Sequence, residues 1–305
     1  MTTTNAVIDH EWSMMGGTAR ARVLAPPARL ADLLESRGAE LESQWSCFLP
    51  QSDLSRLAHA EGGAIAVGAD TVILLRAMRE GWAETDHDFD PTVLPAVLAA
   101  GYGRSLVDPA RMTVLPHSAR ARTDLDTVAI ADDLVSLPAG MALDPGGIGK
   151  GLAADLIAAE LISAGAHGCL IEIGGDVRVA GSAPDGSAWR VSVDDPFELG
   201  ASRGIVRLVD GGIATSSQRK RRWMSESGAH AHHLIDPRTQ TSATTSIQTV
   251  TVIAATAARA EVLTKPGFLR PIDDYLAWIP TRRAAALLID ADGTEHTTPN
   301  WSDYS

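Results

Sequence analysis

Cysteine is almost missing from this chain: Cys47 and Cys169 are the two it has among 305 residues. With one of them inside the apolar run Gly168-Cys169-Leu170-Ile171, a disulfide framework is excluded and a reducing compartment fits. Also missing is any apolar stretch near the roughly 20 residues that a membrane-spanning helix needs. The opening MTTTNAVIDHEWSMMGG has neither a basic n-region nor an apolar h-region, so a cytoplasmic protein without membrane insertion is expected. Basic charge is in deficit, 26 Lys+Arg against 38 Asp+Glu for a formal net charge of -12. That balance argues against nucleic acid as a partner, because backbone binding needs many cations. Aromatic residues make up 5%, and Trp82, Trp189, Trp223 and Trp278 are scattered, so no base-stacking platform is legible. No repeat period and no long Pro/Ser linker divides the chain, and one domain over residues 1–305 is expected.

What is present suffices for a buried core: 45% of residues are hydrophobic and 21% charged, close to the soluble average. Apolar residues recur every three or four positions in Ala28 to Arg37, Asp70 to Glu84 and Gly151 to Ala164, predicting helices. Strand-like runs are Thr18 to Leu24, Cys169 to Ile173, Trp189 to Val193, Ile205 to Val209, Thr249 to Ala254 and Ala285 to Ile289. These elements mix without strict βαβ alternation, which predicts an α+β layered fold.

Six segments carry side chains suited to chemistry. LDPGGIGKG, Leu143 to Gly151, runs into a helix; its glycines and free amides suit an anion, and Lys150 adds a mobile charge. The Walker pattern fails there, while Gly149, Gly151 and Ala154 match a dinucleotide fingerprint with Glu172 at ribose distance. A glycine turn that merely starts a helix explains it equally well. Glu172-Ile173-Gly174-Gly175-Asp176 reads as a turn after a strand, or as a close backbone approach to a flat ligand. Thr85 to Val93, TDHDFDPTV, offers three carboxylates and a histidine for a metal or a heterocycle, or is a solvated helix end. Gly212 to Ser217 followed by Gln218-Arg219-Lys220-Arg221-Arg222-Trp223 places hydroxyls beside a basic run, able to hold phosphate or to lie solvated. His230 to Thr239, HAHHLIDPRT, lacks familiar zinc spacing and suits a single acid, base or phosphate contact. In Ala257 to Lys265, stopped by Pro266, Glu261 and Lys265 share a face as an ion pair or as half of an oxygen-ligand site.

The order of these segments decides what each leaves open. Met15-Gly16-Gly17-Thr18, FLPQSDLSR from Phe48, TDHDFDPTV, LDPGGIGKG, EIGGD, IATSS, HHLIDPRT and TVTVIAATAARAEVL together resemble the ApbE family of FAD:protein FMN transferases, over residues 15 to about 290. The dinucleotide fingerprint explains one segment and leaves seven idle. The resemblance implies an ApbE-like, T-fold-related α+β architecture. It implies FAD as substrate, Mg²⁺ as cofactor, and transfer of FMN through a phosphoester to a Thr or Ser hydroxyl of a target flavoprotein, releasing AMP. Some relatives hydrolyse FAD to FMN and AMP, and some only bind it.

By the same resemblance Met15 and Phe48 line the flavin or adenine pocket, and Asp88, Phe89 and Asp90 fall on the flavin-nucleotide stretch. Asp144 and Lys150 hold FAD, Thr215 and Ser216 sit near its phosphates, and His233 lies closest to the chemistry, with Asp236 and Arg238 shaping its loop. The metal residues are Gly147, through its carbonyl, with Glu261, Thr264 and Lys265. The chain departs from the family pattern there: Lys265 stands where a hydroxyl is usual, with Thr264 one place early. A protonated Lys cannot ligate Mg²⁺; its charge repels the ion or replaces it. The acceptor pattern of the targets is absent, so the chain is expected to act on a separate protein.

Overall fold

From Thr18 the chain alternates small apolar with charged side chains, the period of a half-buried strand, and in the computed structural model Gly17–Leu24 is one. The structure describes residues 6–105, 108, 110–219, 222–224 and 230–305; Lys220 and Arg221 of the basic run lie outside the described residues. The arginines of that strand reach across its exposed face to Val7–Met14, Arg22 to Asp9 at 2.7 Å and Arg20 to Glu11 at 2.9 Å. Eight strands follow side by side in chain order: Val7–Met14, Gly17–Leu24, Gly168–Ile173, Asp176–Gly181, Gly211–Ser217, Ile247–Ala254, Ala285–Asp290 and Glu295–Thr297. Every neighbouring pair is antiparallel, so the sheet is one meander into which the rest of the chain is inserted.

Among the described residues seven α-helices accompany the strands: α1 Leu30–Trp45, α2 Asp53–His59, α3 Ala69–Glu84, α4 Leu94–Ala99, α5 Gly149–Ser163, α6 Ala257–Leu263 and α7 Ile272–Trp278. None among the described residues is long and apolar enough to cross a membrane. The fold is thus the expected mixture of sheet and helix, and five of the six expected strand runs lie wholly within strands. The run from Ile205 overlaps Ser202–Leu208, which ends one residue before Val209. The helix expected to end at Arg37 continues to Trp45 through Gly38. A Cβ at Gly38 would lie 3.0 Å from the Trp12 indole nitrogen and 3.1 Å from the Met14 sulfur, so the glycine marks close packing, not a stop. The α6 segment stops at Leu263, earlier than expected, and Pro266 sits in a following 3₁₀ turn, Lys265–Phe268.

The chain divides into two compact units. The first, residues 1–38, 150–217 and 246–305, contains the whole meander. One sheet face carries a cluster of Val177, Val179, Ile213, Ile253, Leu287 and Ile289 with Trp189 and Val206 of the hairpin Trp189–Asp194 and Ser202–Leu208. On the opposite face α5 lies over Cys169, whose thiol points at the Ala158 carbonyl.

The second unit, residues 39–149 and 218–245, holds α2 to α4 and a three-stranded sheet ordered Ile65–Ala66, Leu134–Ser136, Ala129–Ala131. Two short hairpins join it, Arg222–Met224 with His230–His232 and Ile235–Asp236 with Thr241–Ser242. Asp53 fixes the start of α3, accepting the Gly68 amide and the Thr71 hydroxyl, each at 2.8 Å. Trp45, Leu57, Leu74, Met78 and Leu137 are buried.

Candidate functional site

In the first unit the Gly-rich segment delivers Lys150 to two acids. Its ammonium lies 2.5 Å from Asp176 and also bonds Glu261, carboxylates that are 3% and 2% exposed as residues. The second oxygen of Glu261 accepts the Gly151 amide at 2.9 Å, so the amide at the helix start binds an internal carboxylate. The glycines of EIGGD make the two-residue hairpin turn before Asp176, Gly174 and Gly175 having φ of 59° and 97°. A Cβ at Gly174 would meet the Lys150 stem at 3.2 Å, so the turn also makes room for that side chain.

Burial acts most strongly on all three charged groups. It pushes Asp176 up to about 7, helped by the Glu261 charge and opposed by Lys150. For Lys150 burial works downward, but the charges of Asp176 and Glu261 outweigh it and raise the pKa. Burial works upward on Glu261, and there the charges of Lys150 and Lys265, with hydrogen bonds from Lys150 and Gly151, prevail and lower it. Sequence reasoning missed Asp176 as a site residue, although EIGGD contains it; its only local signal is an acid directly after two turn glycines.

Thr215 and Ser216 are both expected near the phosphates, and as adjacent strand residues they face opposite ways. Thr215 bonds Thr251 across the sheet at 2.9 Å, while Ser216 bonds Thr264 at 2.6 Å. Around Ser216 gathers a ring of oxygens filled by Lys265. Its ammonium donates to the Glu261 carbonyl at 2.9 Å and to the Ser216 and Thr264 hydroxyls at 3.1 Å each. The Thr264 hydroxyl also donates to the Glu261 carbonyl at 2.6 Å.

This arrangement does not fit a divalent metal ion. Both Glu261 oxygens are engaged, the Thr264 hydroxyl is engaged, and Lys265 places a positive charge among the donors. No group of three His, Cys, Asp or Glu side chains suited to a metal occurs among the described residues. Gly147 belongs to the second unit, in the 3₁₀ turn Pro145–Gly147. Met15, in the first unit, sits half-buried at the turn after Val7–Met14, with φ of 48°.

In the second unit Phe48 meets Tyr102 edge-on at 6.2 Å between ring centroids, and Tyr102 stacks on Trp223 at 5.5 Å. The indole nitrogen of Trp223 anchors to the Ala100 carbonyl at 2.5 Å. Tyr102 and Trp223 were not singled out as a pair, because nothing local in the sequence joins them. In TDHDFDPTV the buried Thr85 hydroxyl accepts the Phe89 amide at 3.0 Å, and the His87 ring stacks on Trp82 at 3.6 Å. Phe89 is buried, and Asp90 caps the 3₁₀ turn Pro91–Val93 by accepting the Thr92 amide and hydroxyl. Burial raises the Asp90 pKa. Asp144 likewise caps its turn through the Gly146 amide at 2.8 Å.

His233 lies half-buried in the bend between His230–His232 and Ile235–Asp236. Asp236 accepts the Arg238 amide at 2.9 Å and its guanidinium at 3.0 Å, and Arg238 also approaches Asp88 at 3.9 Å. Neighbouring His232 is buried and bonds the Ala243 carbonyl, and burial lowers its pKa. The first unit thus gathers Lys150, Lys265, Ser216 and Thr264, cations and hydroxyls of the kind suited to phosphate oxygens, around the carboxylates of Asp176 and Glu261. The second gathers Phe48 with two flat aromatic faces, and Asp88 with Asp236 through Arg238.

Residues 15–288 match the model of the ApbE family. A protein of Vibrio cholerae named FAD:protein FMN transferase is 29% identical over 223 residues, 70% of this chain. One of Rhodobacter capsulatus with the same name is 32% identical over 224 residues, again 70% of this chain. These matches span 65% and 42% of the two relatives' own lengths. The crystal structure of the apo form of the Pseudomonas stutzeri flavinyl transferase ApbE superposes with a TM-score of 0.81 at 26% identity, covering 98% of this chain and 96% of that one.

Proposed function

The chain belongs to the ApbE family, and on that premise we propose that it transfers FMN from FAD to a Thr or Ser hydroxyl of a separate target flavoprotein. The observation that carries this reading is the likeness to a flavinyl transferase over almost the whole chain. The family match also runs through segments of both compact units, which supports treating residues 1–305 as one functional domain. The free thiols Cys47 and Cys169 support a cytoplasmic location.

In the proposed step the acceptor oxygen attacks the phosphorus that carries the riboflavin side of the pyrophosphate. A P–O bond forms there, the bridging P–O bond breaks, AMP leaves with its electron pair, and the hydroxyl proton passes to a base. Phosphoryl-type transfer depends on positioning and charge stabilisation. Ser216, which accepts from the Lys265 ammonium, is proposed to lie near the pyrophosphate oxygens, and Lys150, held by Asp176 and Glu261, to lie at the FAD site. Phe48, with Tyr102 and Trp223, is proposed to meet a flat ring of FAD, and Met15, Asp88, Phe89, Asp90, Asp144 and Thr215 to shape the nucleotide site. His233 is proposed as the base.

The test is the intact mass of a flavoprotein domain carrying a Thr/Ser acceptor motif, after incubation with this chain and FAD. An FMN adduct absent from the chain-free control supports the transferase. FMN and AMP in solution without adduct would identify a pyrophosphatase instead. FAD retained uncleaved would identify a flavin-binding protein.

A further inference from the structure

We propose that the Lys265 ammonium takes the place of a divalent cation in this chain, so that its buried acid cluster is complete without metal. The argument is one of coordination and charge. An ammonium has three N–H donors, and here three oxygens receive them: the Glu261 carbonyl and the Ser216 and Thr264 hydroxyls, at 2.9 to 3.1 Å. Those distances suit N–H···O bonds and exceed the roughly 2.0–2.1 Å that Mg²⁺ demands of its oxygens. Three converging oxygens of this kind, two hydroxyls and a carbonyl, are what a hard cation takes as ligands. The chain supplies the cation from its own Lys265 side chain.

The charge count agrees. Asp176 and Glu261 bring two carboxylates, and Lys150 and Lys265 bring two ammonium groups, each near enough to act on those acids. With the acids ionised the group is neutral. A divalent ion entering beside a protonated Lys265 would place uncompensated positive charge among residues of which Asp176, Glu261 and Thr264 are almost wholly buried, an arrangement strongly disfavoured in low dielectric. Exclusion of the ion stands on this geometry alone. Its consequence for turnover, transfer that persists in a metal chelator, rests on the transferase reading.

Mn²⁺, followed by the spin-resonance signal of the free ion, is a direct probe on the full-length chain. The parent and Lys265→Arg are expected to leave the free signal undiminished. Lys265→Thr, which removes the charge and adds an oxygen, is expected to take up the ion, raising affinity by about tenfold or more, the effect of removing a neighbouring like charge. Thermal melting of the parent gives a second readout that needs no variant to fold, and added Mn²⁺ is expected to leave its midpoint unchanged. The proposal is overturned if the parent binds one Mn²⁺ per chain and Glu261→Gln abolishes that binding. Equal uptake by parent and Lys265→Thr overturns it too. FMN transfer by the parent surviving EDTA supports it, and transfer lost in EDTA and restored by Mg²⁺ counts against it. If transfer fails under every condition while the parent still excludes Mn²⁺, the transferase reading falls and the metal exclusion stands.

Discussion

Lys150 is held between two acids that burial would otherwise drive toward neutrality. Removing its charge leaves Asp176 and Glu261 facing one another with Lys265 as the remaining neighbouring cation acting on both. Lys150→Met is therefore expected to lower unfolding stability by about 3–5 kcal/mol, the cost of breaking a buried pair from one side. The double variant Lys150→Met with Asp176→Asn should recover part of that loss, since one orphaned charge goes with it. Urea unfolding of the single and double variants measures both; equal stability of parent and Lys150→Met would show that the acids are already protonated. His233 bears on activity instead. If it accepts the hydroxyl proton, His233→Ala abolishes FMN transfer while flavin-fluorescence titration shows FAD affinity largely intact, and an unchanged transfer rate would remove it from the chemistry.

At the scale of the element, α6 is short and depends on its anchoring. Its first amides, of Ala257 and Ala258, donate to the two oxygens of Asp155, each at 2.9 Å, and Thr256 caps it through the Arg259 amide. Glycines then let it approach the sheet: a Cβ at Gly212 would lie 2.2 Å from the Ala257 nitrogen, and one at Gly151 would lie 2.5 Å from the Ala257 carbonyl carbon. Both contacts are with backbone, which cannot rotate aside. Gly212→Ala is thus expected to cost at least about 1–3 kcal/mol by overpacking, and to disturb the Ser216, Thr264 and Lys265 group that α6 positions. Asp155 supplies a pH signature. Burial pushes its pKa up to about 6 from an ordinary 3.8, so between those values the folded chain holds a proton that the unfolded chain has lost. The unfolded state binds fewer protons there, and this group's contribution to stability falls as pH rises across that window. Asp155→Asn should flatten that fall, a change on the order of 2 kcal/mol between pH 4 and 6, read from urea midpoints across the range. A parent slope unaltered by the substitution would place the titration elsewhere.

Across the whole molecule, the meander was legible in the sequence where its strands alternate or run apolar, as in Gly17–Leu24, Ile247–Ala254 and Ala285–Asp290. It was illegible in Val7–Met14, an edge strand mostly exposed and only half apolar, and in Gly211–Ser217, whose small residues answer to the helix packed on them. The site was legible residue by residue and not as an assembly. Lys150 and Glu261 lie 111 positions apart, and only the sheet and α5 bring them together. The opposite facing of Thr215 and Ser216 was implicit in the strand period, but only a strand assignment at Gly211–Ser217 would have exposed it. The same topology orders the molecule's stability. Ile247–Ala254 has a hydrogen-bonded neighbour on each side, and Val250, Val252 and Ile253 are almost wholly buried, whereas Val7–Met14 has one neighbour and leaves Val7 and Ile8 exposed at 41% and 44%. Amides of the central strand can open only when the meander as a whole unfolds, while those of the edge strand open by peeling. Native-state hydrogen exchange should therefore find Val250 to Ile253 among the slowest amides, with a denaturant dependence equal to that of global unfolding. Val7 to Met14 should exchange through a smaller opening. Equal protection in the two strands would mean that the edge is held by something other than its single row of hydrogen bonds and its arginine–carboxylate pairs.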